Sequence, residues 1–334
     1  MGIFILPFFY FFFAKKIFLP IMWADFTTNP VIMKQKKLVP SAGIWIDRVN
    51  PSREEIEKIF EEYEFHELDR EAVLEEHQYA RLDPYDDYLF LVLHFPKYNP
   101  KTERYYQNEL NIFIGADYLM TFRYYPSTTM RHIYEQYENR KGTPDEEKND
   151  PAFVLYDIIE GFLTKTMRML ERFSKDLKNL ENELFSSRSQ NIIRELMVKK
   201  RNIITLKHMM KPQISVLRQT ENYIKGRFSE EMENYFENLE DRLDKIFSEI
   251  QIIEENMDSM EDTMKSIFEL DTNITIKYLT IFSAFMLPLT LATSFFGMNI
   301  EEGNFNNMLI WGTLVATTLT SLSFMYFFFV KKDR

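Results

Sequence analysis

Cysteine is absent from this 334-residue chain, which removes disulfide frameworks, thiolate zinc sites and cysteine nucleophiles together. A cytosolic setting for most of the chain fits that absence. Positive charge is short: 40 Lys and Arg stand against 51 Asp and Glu, a net charge of −11. Without a basic surface, nucleic acid is excluded as the main partner. Glycine is scarce at 9 residues, while Phe, Tyr and Met reach 31, 18 and 18, which suits long uninterrupted helices rather than a phosphate-loop fold. At 45% hydrophobic and 27% charged, the average is that of a soluble protein with core enough for one or two domains. The apolar residues are unevenly spread, and their placement decides the architecture.

The C-terminal region reads as membrane. Met308 to Val330 contains no charged residue and is long enough to cross about 30 Å of hydrocarbon as a helix. Leu279 to Phe296 is a second uncharged run, extended back to Ile274 when Lys277 snorkels to the interface. The connection from Gly297 to Asn307 carries Glu301 and Glu302 and no basic residue, whereas the chain ends Lys331-Lys332-Asp333-Arg334. The positive-inside rule then puts the tail, 331–334, in the cytoplasm. With spans at 274–296 and 308–330 the earlier residues are cytoplasmic too. The expectation is a multi-pass protein of the cytoplasmic (inner) membrane, in contact with lipid, with both termini inside.

Residues 1–35 are set apart as an N-terminal extension without an assigned role. Gly2 to Ala14 is apolar, Lys15-Lys16 interrupts it, and a second apolar piece follows. Each piece is too short to span, and no basic segment precedes them as in a signal peptide. A start at Met22 or Met33 is one reading, and an interfacial anchor is the other.

Residues 36–150 alternate strand-like and helix-like runs and read as a cytoplasmic α/β domain. Strands are expected at Gly43–Ile46, Tyr88–Leu93, Glu109–Ile114 and Tyr118–Tyr124, the last two flanking a Gly115-Ala116-Asp117 turn. Ser52-Arg53-Glu54-Glu55 is a capping box opening a helix to Tyr63. Residues 151–228 read as two long helices, 151–188 and 190–223, forming an antiparallel pair. From Ser229 to Phe296 there is no glycine and one proline, so 229–296 reads as a single stalk helix of about 100 Å that becomes the first span.

Two stripes run along that helix. Phe236, Leu239, Leu243, Ile246, Ile250, Ile253, Met257, Met260, Met264 and Ile267 recur in steps of three and four, a heptad-type seam for a coiled coil or a bundle core. Asp262, Ser266, Glu269, Asn273, Ile276, Thr280, Ser283, Leu287, Thr290 and Ser294 keep the same rhythm two positions away, about 200° around the helix. Within the span this face is either helix–helix glue or a water-facing lining. Its acidic and amide extension upstream favours the lining.

Gly297-Met298-Asn299, placed directly after this amphipathic span and before a second span with a basic tail, resembles the signature of the CorA family of divalent-cation channels. Leu287-Pro288-Leu289-Thr290, the stretch His77 to Phe90, Trp45-Ile46-Asp47 and Asn50-Pro51 are similar to the family too, so the resemblance covers roughly residues 40–334. The loop Ile300-Glu301-Glu302-Gly303 departs from it, lacking the Met-Pro-Glu run that often follows the signature.

The resemblance implies a homopentameric funnel of long helices around a central pore. Gly297, Met298 and Asn299 then form the selectivity filter, and Asn273, Ile276, Thr280, Ser283, Leu287, Thr290 and Ser294 line the pore. Mg²⁺ parts reluctantly with its waters, so rings of neutral oxygen such as the Asn299 amides suit its hydrated form. Glu301 and Glu302 add negative charge at the outer mouth, and Leu287 and Ile276 supply apolar rings that dewet. The transported and regulatory ion is expected to be Mg²⁺, with Co²⁺ or Ni²⁺ as alternatives. The family also implies that cytoplasmic Mg²⁺ bridges carboxylates of neighbouring protomers to close the pore. A gap-free placement puts Ala72 and Asn238 where those aspartates usually lie, leaving Glu71, Glu75, Glu76, Glu237, Glu240, Asp241 and, inside the funnel, Asp262 or Glu269 as substitutes.

Rival readings are a zinc transporter of the same fold, a membrane-anchored coiled-coil scaffold, and an enzyme. Zinc favours imidazole and thiolate, yet all five histidines, His66, His77, His94, His132 and His208, precede the spans. No complete nucleophile, phosphate loop or metal-ligand motif supports an enzyme.

Overall fold

The computed structural model describes residues 35–38, 43–75, 78–140, 150–186, 190–228, 230–297 and 307–326. The N-terminal extension up to residue 34, Glu76, His77, the loop 298–306 and the tail from 327 lie outside them. The chain divides into two compact units: the described parts of Met1–Phe95, Gln107–Phe162 and Gln213–Glu240, and those of Pro96–Tyr106, Leu163–Pro212 and Asp241–Arg334.

The first unit is built on a six-stranded sheet of β1 (Gln35–Leu38), β2 (Ile44–Val49), β3 (Arg81–Pro84), β4 (Tyr88–Asn99), β5 (Arg104–Gly115) and β6 (Tyr118–Arg123), in the order β1-β2-β6-β5-β4-β3. β2 runs parallel to β6 and antiparallel to β1, while β3–β4 and β5–β6 are antiparallel. The expected strands are all present. β4 and β5 outrun their expected ends because a tight turn joins them, with Glu103 at a left-handed φ of 54° and Asn99 Oδ1 accepting the Lys101 N–H at 3.0 Å.

α1 (Arg53–Tyr63) opens on the expected box: Ser52 Oγ accepts the Glu55 N–H at 3.2 Å, and Glu55 Oε2 accepts the Ser52 N–H at 2.8 Å. With α2 (Glu67–Leu74) it covers one sheet face, where Ile56, Phe60, Phe65, Ala72 and Val73 pack on Phe90, Val92, Phe113 and Phe122. Trp45 packs on Tyr134 and Tyr137 of α3 (Thr128–Asn139), ring centroids 5.5 and 6.2 Å apart.

Two motifs acquire structural explanations here. Asp47 takes a bidentate hold from Arg123 (Nη2 at 2.7 Å, Nε at 3.1 Å) and accepts Thr121 Oγ1 at 2.9 Å, all buried. Removing either partner would strand a buried charge. In the stretch from Arg81 to Tyr88, the hydroxyls of Tyr85 and Tyr88 donate to the buried Asp69 of α2 at 3.2 and 2.8 Å. Burial pushes the Asp69 carboxyl up, partly offset by those two hydroxyls.

α4 (Pro151–Ser186) and α5 (Gln190–Lys225) have 36 residues each, and α6 (Glu230–Gly297) has 68, continuous through Pro288 as expected. α7 (Asn307–Met325) has 19 and no charged side chain. Within the first unit, Arg218 and Lys225 of α5 pair with Glu240 and Glu233 of α6. Within the second, Lys207 pairs with Glu254, and Lys200 with Asp258 and Glu261. These half-exposed pairs contribute up to about 1 kcal/mol each, so they set register more than depth.

The seam resolves in favour of a bundle core. From Phe236 to Met264 every seam residue is buried within a single chain, and burial relaxes only at Ile267. It is not a free face for another protomer. Ile250 is 0% exposed, whereas Ile252, two residues on, is 52% exposed. Ile250→Ala should therefore cost about 2–5 kcal/mol and Ile252→Ala under about 0.5 kcal/mol, read as thermal unfolding midpoints in detergent; equal shifts would contradict this orientation.

Candidate functional site

The burial of the seam fixes the rotation of α6, and the polar stripe falls on a free face. Asp262, Ser266, Glu269, Asn273, Ile276, Thr280, Ser283, Leu287, Thr290 and Ser294 are all exposed. Exposure alone does not single them out, because most of α6 beyond Phe268 is exposed in one chain. Lys277, Ile281, Ala284 and Pro288 are half-buried and lie one position on, about 100° from the stripe. Within that line Ala284 meets α7, whose Ser321 donates to its carbonyl. The stripe is thus free of both the bundle core and the α7 contact.

Its hydroxyls are oriented by the helix itself. Thr280 donates to the Ile276 carbonyl and Thr290 to the Met286 carbonyl, each at 2.8 Å. Their hydrogens point into the backbone and leave oxygen lone pairs to accept from water. Off the stripe, Thr275 bonds back to the Asp271 carbonyl four residues earlier and Thr293 to the Thr290 carbonyl three earlier, so back-bonding orients hydroxyls on and off the stripe and the face decides what they meet.

Pro288 interrupts the backbone ladder in the same region. Lacking an N–H, it cannot bond the carbonyl of Ala284 four residues earlier. Ser321 Oγ of α7 donates to that carbonyl at 2.7 Å. In hydrocarbon an orphaned carbonyl costs several kcal/mol, so Ser321 supplies what Pro288 removes. Sequence reasoning missed this residue, although the rule that finds it is simple: locate a serine on a neighbouring helix for the carbonyl a proline leaves unpaired.

The remaining expected site residues divide. Met298, Asn299, Glu301 and Glu302 lie outside the described residues. Gly297 ends α6, and a Cβ built there would meet nothing within 4 Å, so packing inside one chain does not demand glycine. Glu71, Glu75, Glu237 and Asp241 are exposed, and Asp262 is exposed with Lys265 3.2 Å away. Among the described residues no group of three or more His, Asp or Glu is arranged to hold a metal ion. Ala72 is 3% exposed and packed in the sheet core, so its position offers a methyl group to hydrophobic neighbours rather than a ligand to solvent. Burial, with the carboxylates of Glu240 and Glu237 nearby, pushes the Glu221 carboxyl of α5 up. Of the histidines, His66 caps α2 through Nδ1, His132 is exposed beside Gln136, and His94 is buried in β4.

Among the described residues α6 is the one helix long and apolar enough to cross a membrane. The sequence model of the family described as "CorA-like Mg2+ transporter protein" matches residues 41–332. The chain belongs to the CorA family. Membership makes it a divalent-cation transporter rather than an enzyme. It is 21% identical to the "Cobalt/magnesium transport protein CorA" of Thermotoga maritima over 262 residues, 78% of this chain and 74% of that one. Its fold is that of the CorA magnesium transporter from Methanocaldococcus jannaschii (TM-score 0.73, 19% identity, covering 85% of this chain and 90% of that one). It is similar also to the ZntB cytoplasmic domain from Vibrio parahaemolyticus (TM-score 0.56, 16% identity, 68% and 88%).

The Pro288–Ser321 link yields a double-mutant cycle. Ser321→Ala should destabilise the chain by about 0.6–2 kcal/mol, and adding Pro288→Ala should recover most of the loss, because the restored N–H rebonds Ala284. Thermal unfolding of the single and double variants in detergent checks it, and a purely additive double variant would reject the link.

Proposed function

We propose that the chain assembles as a homopentamer and carries hydrated Mg²⁺ into the cell along a central path lined by the polar stripe of α6. The observation that carries the reading is the freedom of that stripe: it avoids the intrachain core and the α7 contact, and it runs in line to Gly297. Asn273, Thr280, Ser283, Thr290 and Ser294 offer neutral oxygens that accept from an ion's water shell without stripping it. The filter begins at Gly297, the last residue of α6, and Met298, Asn299, Glu301 and Glu302 follow it in the sequence. Ile276 and Leu287 are the apolar rings at which the path closes. In this reading α7, completed by the residues to Val330, is the second span, and both termini are cytoplasmic.

Relatives named for cobalt/magnesium transport favour Mg²⁺ or Co²⁺. The zinc alternative rests on a neighbour at 16% identity, which supports the fold alone. Histidine and cysteine are missing from α6, and those are the ligands zinc prefers. Flux into liposomes across a panel of divalent cations tests the function. Asn299→Ala should abolish flux in a normally assembled oligomer. Thr290→Val should lower it more than Thr293→Val, since both hydroxyls bond back to the helix but Thr293 sits off the stripe. Equal effects would make the stripe packing glue.

Gating by internal Mg²⁺ is part of the proposal, in a weakened form. Ala72 and Asn238 supply no anionic ligand, so Glu71 and Glu75 of one protomer and Glu237 and Asp241 of the next are left to hold the hydrated ion between them, with Asp262 further along. Half-closure should need more internal Mg²⁺ than in relatives that keep both aspartates. Neutralising Glu71 and Asp241 together should raise it by about tenfold or less, the scale of one exposed charge contact. Tight closure untouched by the double substitution would eliminate this site.

A further inference from the structure

Polar groups collect at one buried point in the sheet that ion conduction does not use. Alternation along β4 continues the core positions Phe90 and Val92 to His94, and alternation along β5 continues Phe113 to Asn111 and Glu109. His94 is 3% exposed, and Glu109 and Asn111 are buried beside it. Glu109 Oε1 accepts from Asn111 Nδ2 at 2.9 Å, and its Oε2 accepts the backbone N–H of Gln78 at 2.9 Å. His94 Nε2 lies 3.7 Å from Glu109 Oε2, beyond hydrogen-bond length, and has no hydrogen-bond partner; Asn111 Oδ1 has none either. Gln213 of α5 grips β4 at this residue, accepting the His94 N–H at 3.0 Å and donating to its carbonyl at 2.7 Å. The strand is pinned while the imidazole nitrogen is left unpaired against a carboxylate.

We propose that His94 and Glu109, with the Asn111 amide oxygen, bind a transition-metal dication of the Zn²⁺, Co²⁺ or Ni²⁺ class. A buried imidazole nitrogen left unpaired beside a buried carboxylate is costly, and a cation between the two relieves that cost. An ion about 2.1 Å from each atom spans their 3.7 Å separation at an angle of about 124°, within the range of low-coordinate sites. Asn111 Oδ1, buried and unpaired, is the third donor, while its Nδ2 stays on Glu109 Oε1. Imidazole with one carboxylate selects transition metals over Mg²⁺, which favours an all-oxygen octahedron. The Gln78 N–H on Glu109 orients the carboxylate from outside, so occupancy is coupled to the segment that follows α2. The site is independent of the transport reading and stands or falls without it.

The test uses the full chain in detergent, stripped of metal with a chelator and titrated with Co²⁺. The expected result is one equivalent per chain with the visible absorption of low-coordinate Co²⁺, unaffected by excess Mg²⁺. Hydrated Co²⁺ in the path would stay octahedral and weakly coloured. His94→Gln and Glu109→Gln should each weaken the coloured species at least about 100-fold. In the unsubstituted chain, one equivalent of Zn²⁺ should slow hydrogen exchange in the β4 and β5 segments around His94 and Glu109. This second measurement decides the matter where a variant fails to fold. Absence of both colour and protection overturns the proposal, as does full colour in a folded His94→Gln chain.

Discussion

Burial of one apolar edge of α6 by the chain's own helices is the constraint on which the rest depends. A helix advances about 100° per residue, so fixing the rotation of Phe236 to Met264 fixes every later residue of the same rod, including those at membrane depth. Thr280 and Thr290 face where they do because Leu243, Ile250 and Met257 are buried upstream. That inheritance requires an uninterrupted helix. The one proline in it, Pro288, leaves a carbonyl that Ser321 takes up, so the ladder is repaired at the point where it would otherwise invite water or a kink.

Much of this was legible in the sequence because the signals are local and repeated. The 68 residues of α6, its two stripes, the capping box of α1 and the long strands rest on periodicity and caps that a window of ten residues contains. The short elements were not: β1 and β3 have four residues each, and α2 has eight, too few for a period to rise above noise. Neither was the chemistry of contacts between distant segments. Asp47 meets Arg123 across 76 positions, and Ser321 meets Ala284 across 37, and nothing local to either residue announces the other. The seam shows a third kind of gap: its period was readable, but whether a second chain or the same chain covers it is decided by α4 and α5.

Positions 72 and 238 differ physically in what an aspartate there would meet. Asn238 is exposed and an acid there would be solvated, whereas Ala72 sits among Ile56, Phe60 and Val73 in the sheet core. An aspartate at 72 would bury a carboxylate in that layer at a cost of several kcal/mol unless the end of α2 moved outward. Asp69, one turn earlier, is the carboxylate this helix does bury, and it is held by two tyrosine hydroxyls. α2 is therefore anchored inward by Asp69 and Ala72, leaving Glu71, and Glu75 at its C-cap, exposed at the rim.

A path of neutral oxygens separates ions by the size and stiffness of their water shells, not by ligand softness. Mg²⁺, Co²⁺ and Ni²⁺ present similar octahedral shells, so a lining of Thr, Ser and Asn oxygens has little with which to tell them apart. Discrimination by softness needs direct contact with nitrogen or sulfur, and α6 contains no histidine and the chain no cysteine. The His94–Glu109 pair is placed where such contact costs transport nothing: it is buried in the sheet and pinned by Gln213, with no demand that the ion leave quickly. Conduction needs weak, water-mediated binding and sensing needs tight, direct binding, and a single site cannot supply both. On the proposed readings the chain divides the two tasks between α6 and the sheet, so that a transition metal able to pass the path is recognised by a ligand set that prefers it.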